Sequence, residues 1–115
     1  MALVYVAKNN TTPLTDSYII AKALSYDHQN VIKLARKYKE DLEVFGRVGF
    51  EIQPFKTIGG TQSREVALLN EEQATLLICY MRNSPKVRAF KLKLVRAFYE
   101  LKKQLAERRE LDVST

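Results

Sequence analysis

Residues 17–45 constrain the fold of this chain more than any other stretch. A short apolar run, Ser17-Tyr18-Ile19-Ile20-Ala21-Lys22-Ala23-Leu24, leads into a polar link, Ser25-Tyr26-Asp27. A longer amphipathic run follows from His28 to Phe45. On it Val31, Leu34, Ala35, Tyr38, Leu42 and Phe45 recur at three- and four-residue steps, the period of one buried helix face. The opposite face carries Gln29, Asn30, Lys33, Arg36 and Lys37. Thr15, Asp16 or Ser17 can cap the first helix through a side-chain oxygen, and Ser25 or Asp27 the second. Gly46 lies where a left-handed residue closes a helix. A short helix, a tight turn and a helix with a cationic, amide-bearing outer face predict a helix-turn-helix.

The rest of the chain fits around that segment. Residues 3–7 read as a short strand and 9–13 as a turn. Residues 50–56 and 64–69 read as two arms of a hairpin, joined by a loop around Gly59-Gly60; Pro54 predicts that the first arm is an edge strand. A glycine-tipped hairpin after a helix-turn-helix is the pattern of a wing. Asn70 opens a third helix as a capping box with Gln73, and Ala74, Leu77, Ile78 and Met81 form its buried stripe. Ser84-Pro85 starts a fourth helix running toward Glu110, with its stripe at Val87, Phe90, Leu94, Ala97/Phe98, Leu101 and Leu105. At 1.5 Å per residue that helix is about 37 Å long, and residues 111–115 are expected to fray. The expected fold class is α+β: a winged helix-turn-helix-like domain with a β-hairpin wing and a long C-terminal helix. With no repeat, linker or low-complexity tract, residues 1–115 are expected to form one domain.

Charge points to a polyanionic partner. The formal net charge is +6. From Arg82 to Glu110 there are ten basic and three acidic residues, a net of +7, so the excess belongs to the C-terminal third. One cysteine and one histidine exclude an internal disulfide and a Cys/His zinc set. Cys79, in an apolar helix with no base near it in sequence, reads as a core or interface thiol. His28 sits at the edge of the buried stripe. A structural hydrogen bond is its expected role, with phosphate contact the alternative. No paired carboxylates or nucleophile–base set indicate catalysis, and no catalytic residue, metal, cofactor or small-molecule substrate is expected. The longest apolar run, residues 76–81, is far below the roughly 18–20 residues of a membrane span. The N-terminus lacks the pattern of a signal peptide, and the expected compartment is the cytoplasm.

Functional candidates follow from chemistry. Gln29 and Asn30 can bond adenine in two places; Lys33, Arg36 and Lys37 can bond guanine or phosphate. The alternative for this face is a solvated surface. Gly59 and Gly60 let backbone amides approach phosphates, although the pair also reads simply as a turn and lacks the spacing of a P-loop. On the fourth helix, Phe98, Leu101 and Leu105 form a candidate seam with a second copy. The same stripe is also what covers the core, and with its basic flanks it could lie on a membrane surface.

Three motifs resemble the phage regulatory protein Rha family. Ser17-Tyr18-Ile19-Ile20-Ala21 is similar to the Ser-x-x-Val-Ala opening of that family's first helix. His28-Gln29-Asn30-Val31-Ile32 matches its His-x-x-Val element. Residues 69–77 followed by Tyr80-Met81-Arg82-Asn83-Ser84-Pro85-Lys86-Val87-Arg88-Ala89-Phe90-Lys91 resemble its Arg-Asn-Thr/Ser-x-Lys-Val…Phe-Lys run, the most specific of the three. The resemblance spans roughly residues 3–105. It implies a phage or prophage regulator with a winged-helix-like domain that binds double-stranded DNA in the host bacterial cell, and no enzyme. Many members carry a further C-terminal domain, and nothing that such a domain does is carried over. The rival expectation is a protein-interaction module that binds a host protein through the basic C-terminal helix.

Overall fold

The computed structural model describes residues 2–8 and 11–114, and residues 109–114 by backbone alone. In chain order it contains β1 (Tyr5–Val6), β2 (Pro13–Asp16), α1 (Ser17–Leu24), α2 (His28–Lys37) and α3 (Lys39–Leu42). A 3-10 turn (Glu43–Phe45) follows, then β3 (Gly49–Thr57), β4 (Gly60–Leu69), α4 (Glu71–Cys79) and α5 (Pro85–Ser114). The fold is α+β, with five helices and a four-stranded antiparallel sheet in the order β1-β2-β4-β3.

Caps account for most helix starts. Asp16 Oδ1 accepts the Ile19 amide at 2.8 Å, Asp27 Oδ1 the Gln29 amide at 3.0 Å, and Asn70 Oδ1 the Gln73 amide at 2.9 Å. Each satisfies a first-turn N–H that has no partner within its own helix. Asn70 and Gln73 form the expected reciprocal box. α1 ends on Ser25 at φ +58°, with Tyr26 N–H on the Ala21 carbonyl and Ser25 N–H on the Lys22 carbonyl. That closure normally uses glycine.

The core lies between the helices and one face of the sheet. Ile20, Ala21 and Leu24 of α1 meet Val31 and Ala35 of α2 and Ala67 and Leu69 of β4. Leu77 and Ile78 of α4 and Val87, Phe90, Leu94 and Phe98 of α5 close it. β2 pairs with β4 through Thr15↔Leu69, so the strand leading into α1 and the strand leaving the hairpin are hydrogen-bonded neighbours. β3 lies at the sheet edge, which accommodates Pro54 opposite Ser63.

Expected boundaries change in several places, and the first strand shortens from residues 3–7 to Tyr5–Val6. The second helix does not run unbroken to Phe45. It stops at Lys37, where Tyr38 leaves helical geometry (φ −106°, ψ 22°); the Tyr38 ring stacks on Tyr80 at 4.2 Å between centroids. Leu42 then turns into the core, whereas Phe45 is exposed. The hairpin is longer than expected: residues 57–63 are mostly paired strand, with Thr57↔Gly60 the last pair. The long helix continues to Ser114, since neither Gly nor Pro interrupts it. Of the expected turn at residues 9–13, Asn9 and Asn10 lie outside the described residues. Pro13 begins β2, so that end of it is strand.

Candidate nucleic-acid interface

α2 is held by its ends, which leaves its outer face free. At the start, Ser17 Oγ accepts the buried Ala67 N–H at 3.0 Å and lies 2.9 Å from His28 Nε2. One hydroxyl thus joins α1, α2 and β4, and His28 has the hydrogen-bonding role expected of it. Burial, helped by the charge of Arg64, pushes the His28 pKa below its ordinary value against the pull of Asp16 and Asp27. His28 is therefore neutral at physiological pH. At the other end Arg36 forms an ion pair with Glu65 of β4, and its guanidinium lies 5.4 Å from the Phe50 ring centroid.

Gln29, Asn30, Lys33, Arg36 and Lys37 are all exposed. They do not form one uniform set. Gln29, Lys33 and Lys37, four residues apart on successive turns, make the centre of the face. Asn30 lies at one margin, lining a recess with Tyr26, Asp27, Leu34 and Arg82. Arg36 lies at the other margin, already engaged by the hairpin. Ile32, absent from the expected stripe, is buried, and Leu34 is only half-buried. The helix is rolled so that His28, Ile32 and Arg36 turn toward the sheet.

Gly59 shares the two-residue hairpin tip with Ile58, and Gly60 opens the return strand beside it. Gly60 sits at φ +121°, a conformation that strains any other residue, whereas Gly59 carries no such constraint. Thr57 Oγ1 donates to the Gly60 carbonyl at 2.8 Å across the turn. Among the described residues, no hydrogen bond, ion pair or ring contact links the tip to α2.

The hairpin also carries a stack that no sequence motif announces. The Arg64 guanidinium lies 3.7 Å from the Tyr18 ring centroid and 3.8 Å from that of Phe55, so it is stacked between α1 and the first hairpin strand. Tyr18 in turn meets His28 edge-on at 5.6 Å, and the Arg64 contact pulls its phenol pKa down. Arg64 forms no ion pair among the described residues. The register that sets Arg64 beside Phe55 is the only signal that could have found this stack, and it becomes readable once the tip is placed at residues 58–59.

The remaining candidates separate. Phe98 is fully buried in the protomer's own core, which removes it from any seam with a second copy. Leu101 and Leu105 are half-buried, while Leu92 and Tyr99 are exposed on another side of α5. Cys79 is exposed at the end of α4 rather than in the core, with the Lys91 ammonium 3.5 Å from its sulfur. No group of His, Cys, Asp or Glu able to hold a metal occurs among the described residues, and no helix there is long and apolar enough to cross a membrane.

The family model for the phage regulatory protein Rha matches residues 15–103, from the β2–α1 junction into α5. No curated protein and no solved structure matches the chain.

Proposed function

The chain belongs to the phage regulatory protein Rha family, and from that premise we propose that it is a transcriptional regulator of phage genes, binding double-stranded DNA in the host bacterial cytoplasm through a winged helix-turn-helix. The observation that carries this reading is the connectivity. A strand leads into two helices joined by a three-residue link, Ser25 to Asp27. After α3 and the 3-10 turn comes a hairpin whose return strand pairs with β2, giving β2-β4-β3 within the sheet order β1-β2-β4-β3. In that architecture the second helix enters the major groove. Gln29 and Lys33 then face base edges, with Asn30 at the margin. Lys37 and Arg36 lie toward phosphates, and the Gly59-Gly60 tip reaches the flanking backbone. The chain works as one domain, paired with a second copy, and needs no cofactor.

Selection of duplexes from a random pool tests this reading. Lys33→Ala with Lys37→Ala is expected to leave the melting temperature unchanged and to lower the salt slope of binding by about 0.9 for each phosphate that is no longer neutralised. Arg36→Ala is a less clean probe, since it also removes the Glu65 ion pair, worth at most about 1 kcal/mol at its exposure. A pool with no enriched sequence, or a salt slope untouched by the double variant, overturns the reading.

A rival reading has one observation in its favour. Leu92 and Tyr99 are exposed on α5 beside Arg88, Arg96 and Lys103, a surface suited to an acidic protein partner. Loss of function on Leu92→Ser with DNA binding intact would favour it.

A further inference from the structure

Among the described residues Ile58 is the most exposed large apolar side chain, at 110% of its reference area. Local structure does not require it. Gly60 supplies the positive φ of the turn, and Thr57 supplies the hydrogen bond across it. A turn position in water ordinarily carries Pro, Asn, Asp, Ser or Gly. Packing does not require it either, because the side chain touches no core.

The surroundings indicate a partner. Residues 53–64 contain no carboxylate and carry two cations, Lys56 and Arg64. The arm is mounted, since Arg64 is stacked between Tyr18 and Phe55 and ties the hairpin to α1. A cationic, two-stranded arm, anchored at its base, thus ends in one bare aliphatic side chain. Side chains of this kind are inserted between base steps by proteins that bind the minor groove, and the partial unstacking kinks the duplex.

We propose that Ile58 is an apolar wedge that enters the minor groove of duplex DNA beside the site covered by α2. The inference rests on the DNA-binding reading above. Lys56 and the amides at the glycine tip hold the phosphates on either side, and Ile58 opens one base step. The bend brings more of the flanking backbone against the basic surface of the protein.

The test uses the full chain and a duplex recovered from a random pool by the wild type, labelled at both ends so that energy transfer reports bending. Ile58→Leu is expected to bind and bend like the wild type. Ile58→Ser is expected to bind about tenfold more weakly, the scale set by removing one buried aliphatic side chain. It should bend the duplex less and melt at the same temperature, since the side chain is fully solvated in the free protein. If Ile58→Ser binds and bends as the wild type does, while Lys33→Ala with Lys37→Ala weakens binding, the wedge alone is overturned. A wild type that enriches no duplex removes the DNA-binding reading and the wedge together. Binding to phosphatidylglycerol vesicles that disappears in Ile58→Ser, with DNA binding unchanged, also overturns the wedge and turns the tip toward a membrane surface.

Discussion

His28 works in its neutral form, because burial and the nearby charge of Arg64 disfavour a protonated ring, and its contact with Ser17 suits that form. The Ser17 hydroxyl accepts the Ala67 N–H, so its own hydrogen is available to an unprotonated Nε2. A protonated ring would have to donate to that oxygen and would leave the hydroxyl hydrogen without this partner. The depressed pKa follows from burial first and Arg64 second. In the unfolded chain the ring takes up a proton near pH 6.5, its ordinary value, whereas in the folded chain it resists until lower pH. The unfolded state therefore binds more protons in that window, and stability rises with pH. This contribution is complete above about pH 6.5 and is lost as the pH falls through the folded value. Melting curves of the wild type are expected to shift downward below about pH 6.5, with a smaller shift in His28→Gln. Parallel curves for the two proteins would show that His28 is not the group responsible.

Elements are coupled here by few, well-placed polar contacts. Gln73 is buried on α4, yet each polar end of its amide is used. Its oxygen accepts the Asn70 N–H at 3.0 Å, and its nitrogen donates to the carbonyls of Leu42 and Gly46 at 3.3 and 2.6 Å. It ties the end of the helix-turn-helix segment to the start of α4. Gln73→Ala would leave those carbonyls without this donor and is expected to cost about 1–3 kcal/mol in urea denaturation. Packing on α2 makes a second expectation at this scale. Ile32 is buried and Leu34 half-buried, so Ile32→Ala is expected to cost about 2–4 kcal/mol and Leu34→Ala less. Gln29→Ala, on the exposed face, should leave the denaturation midpoint in place. A larger effect at Leu34 than at Ile32 would mean that α2 is rolled differently on the sheet.

The whole molecule is less compact than its length requires. Its radius of gyration is 15.2 Å, against about 13 Å for an ordinary domain near this size, and its extents are 48 × 37 × 26 Å. Part of the excess is α5, whose 30 residues span about 45 Å. Four of its apolar residues, Val87, Phe90, Leu94 and Phe98, enter the core. Leu101 and Leu105 continue the same line only half-covered, which supports pairing of two copies along this part of the helix. A two-fold pair would present two copies of α2 to half-sites about one DNA turn apart. Sedimentation at micromolar concentration is expected to give a dimer mass for the wild type and a monomer mass for Leu101→Lys with Leu105→Lys. A wild-type monomer, or a dimer that survives the double change, would sink the pairing. Leu105→Lys alone is the control if the double variant fails to fold.

The sequence by itself narrowed where the helices start to a few candidate cap residues each. Caps at Asp16, Asp27 and Asn70 are local chemistry, because the groups they satisfy lie within three residues. The period of Val87, Phe90, Leu94 and Phe98 likewise needs no partner to be read. The exposed outer face of α2 was legible for the same reason, since it follows from which residues are apolar. Only the tertiary structure decided what the sequence could not. The helix breaks at Tyr38, whose ring stacks on Tyr80, and a contact between residues 42 apart leaves no local trace. The ion pair to Glu65 removes Arg36 from the centre of the outer face. Phe98 goes to the core rather than to a second copy, since it is buried in one cluster with residues of α1, α4 and β4. These outcomes depend on how the elements pack, and helical period constrains a face without naming what covers it.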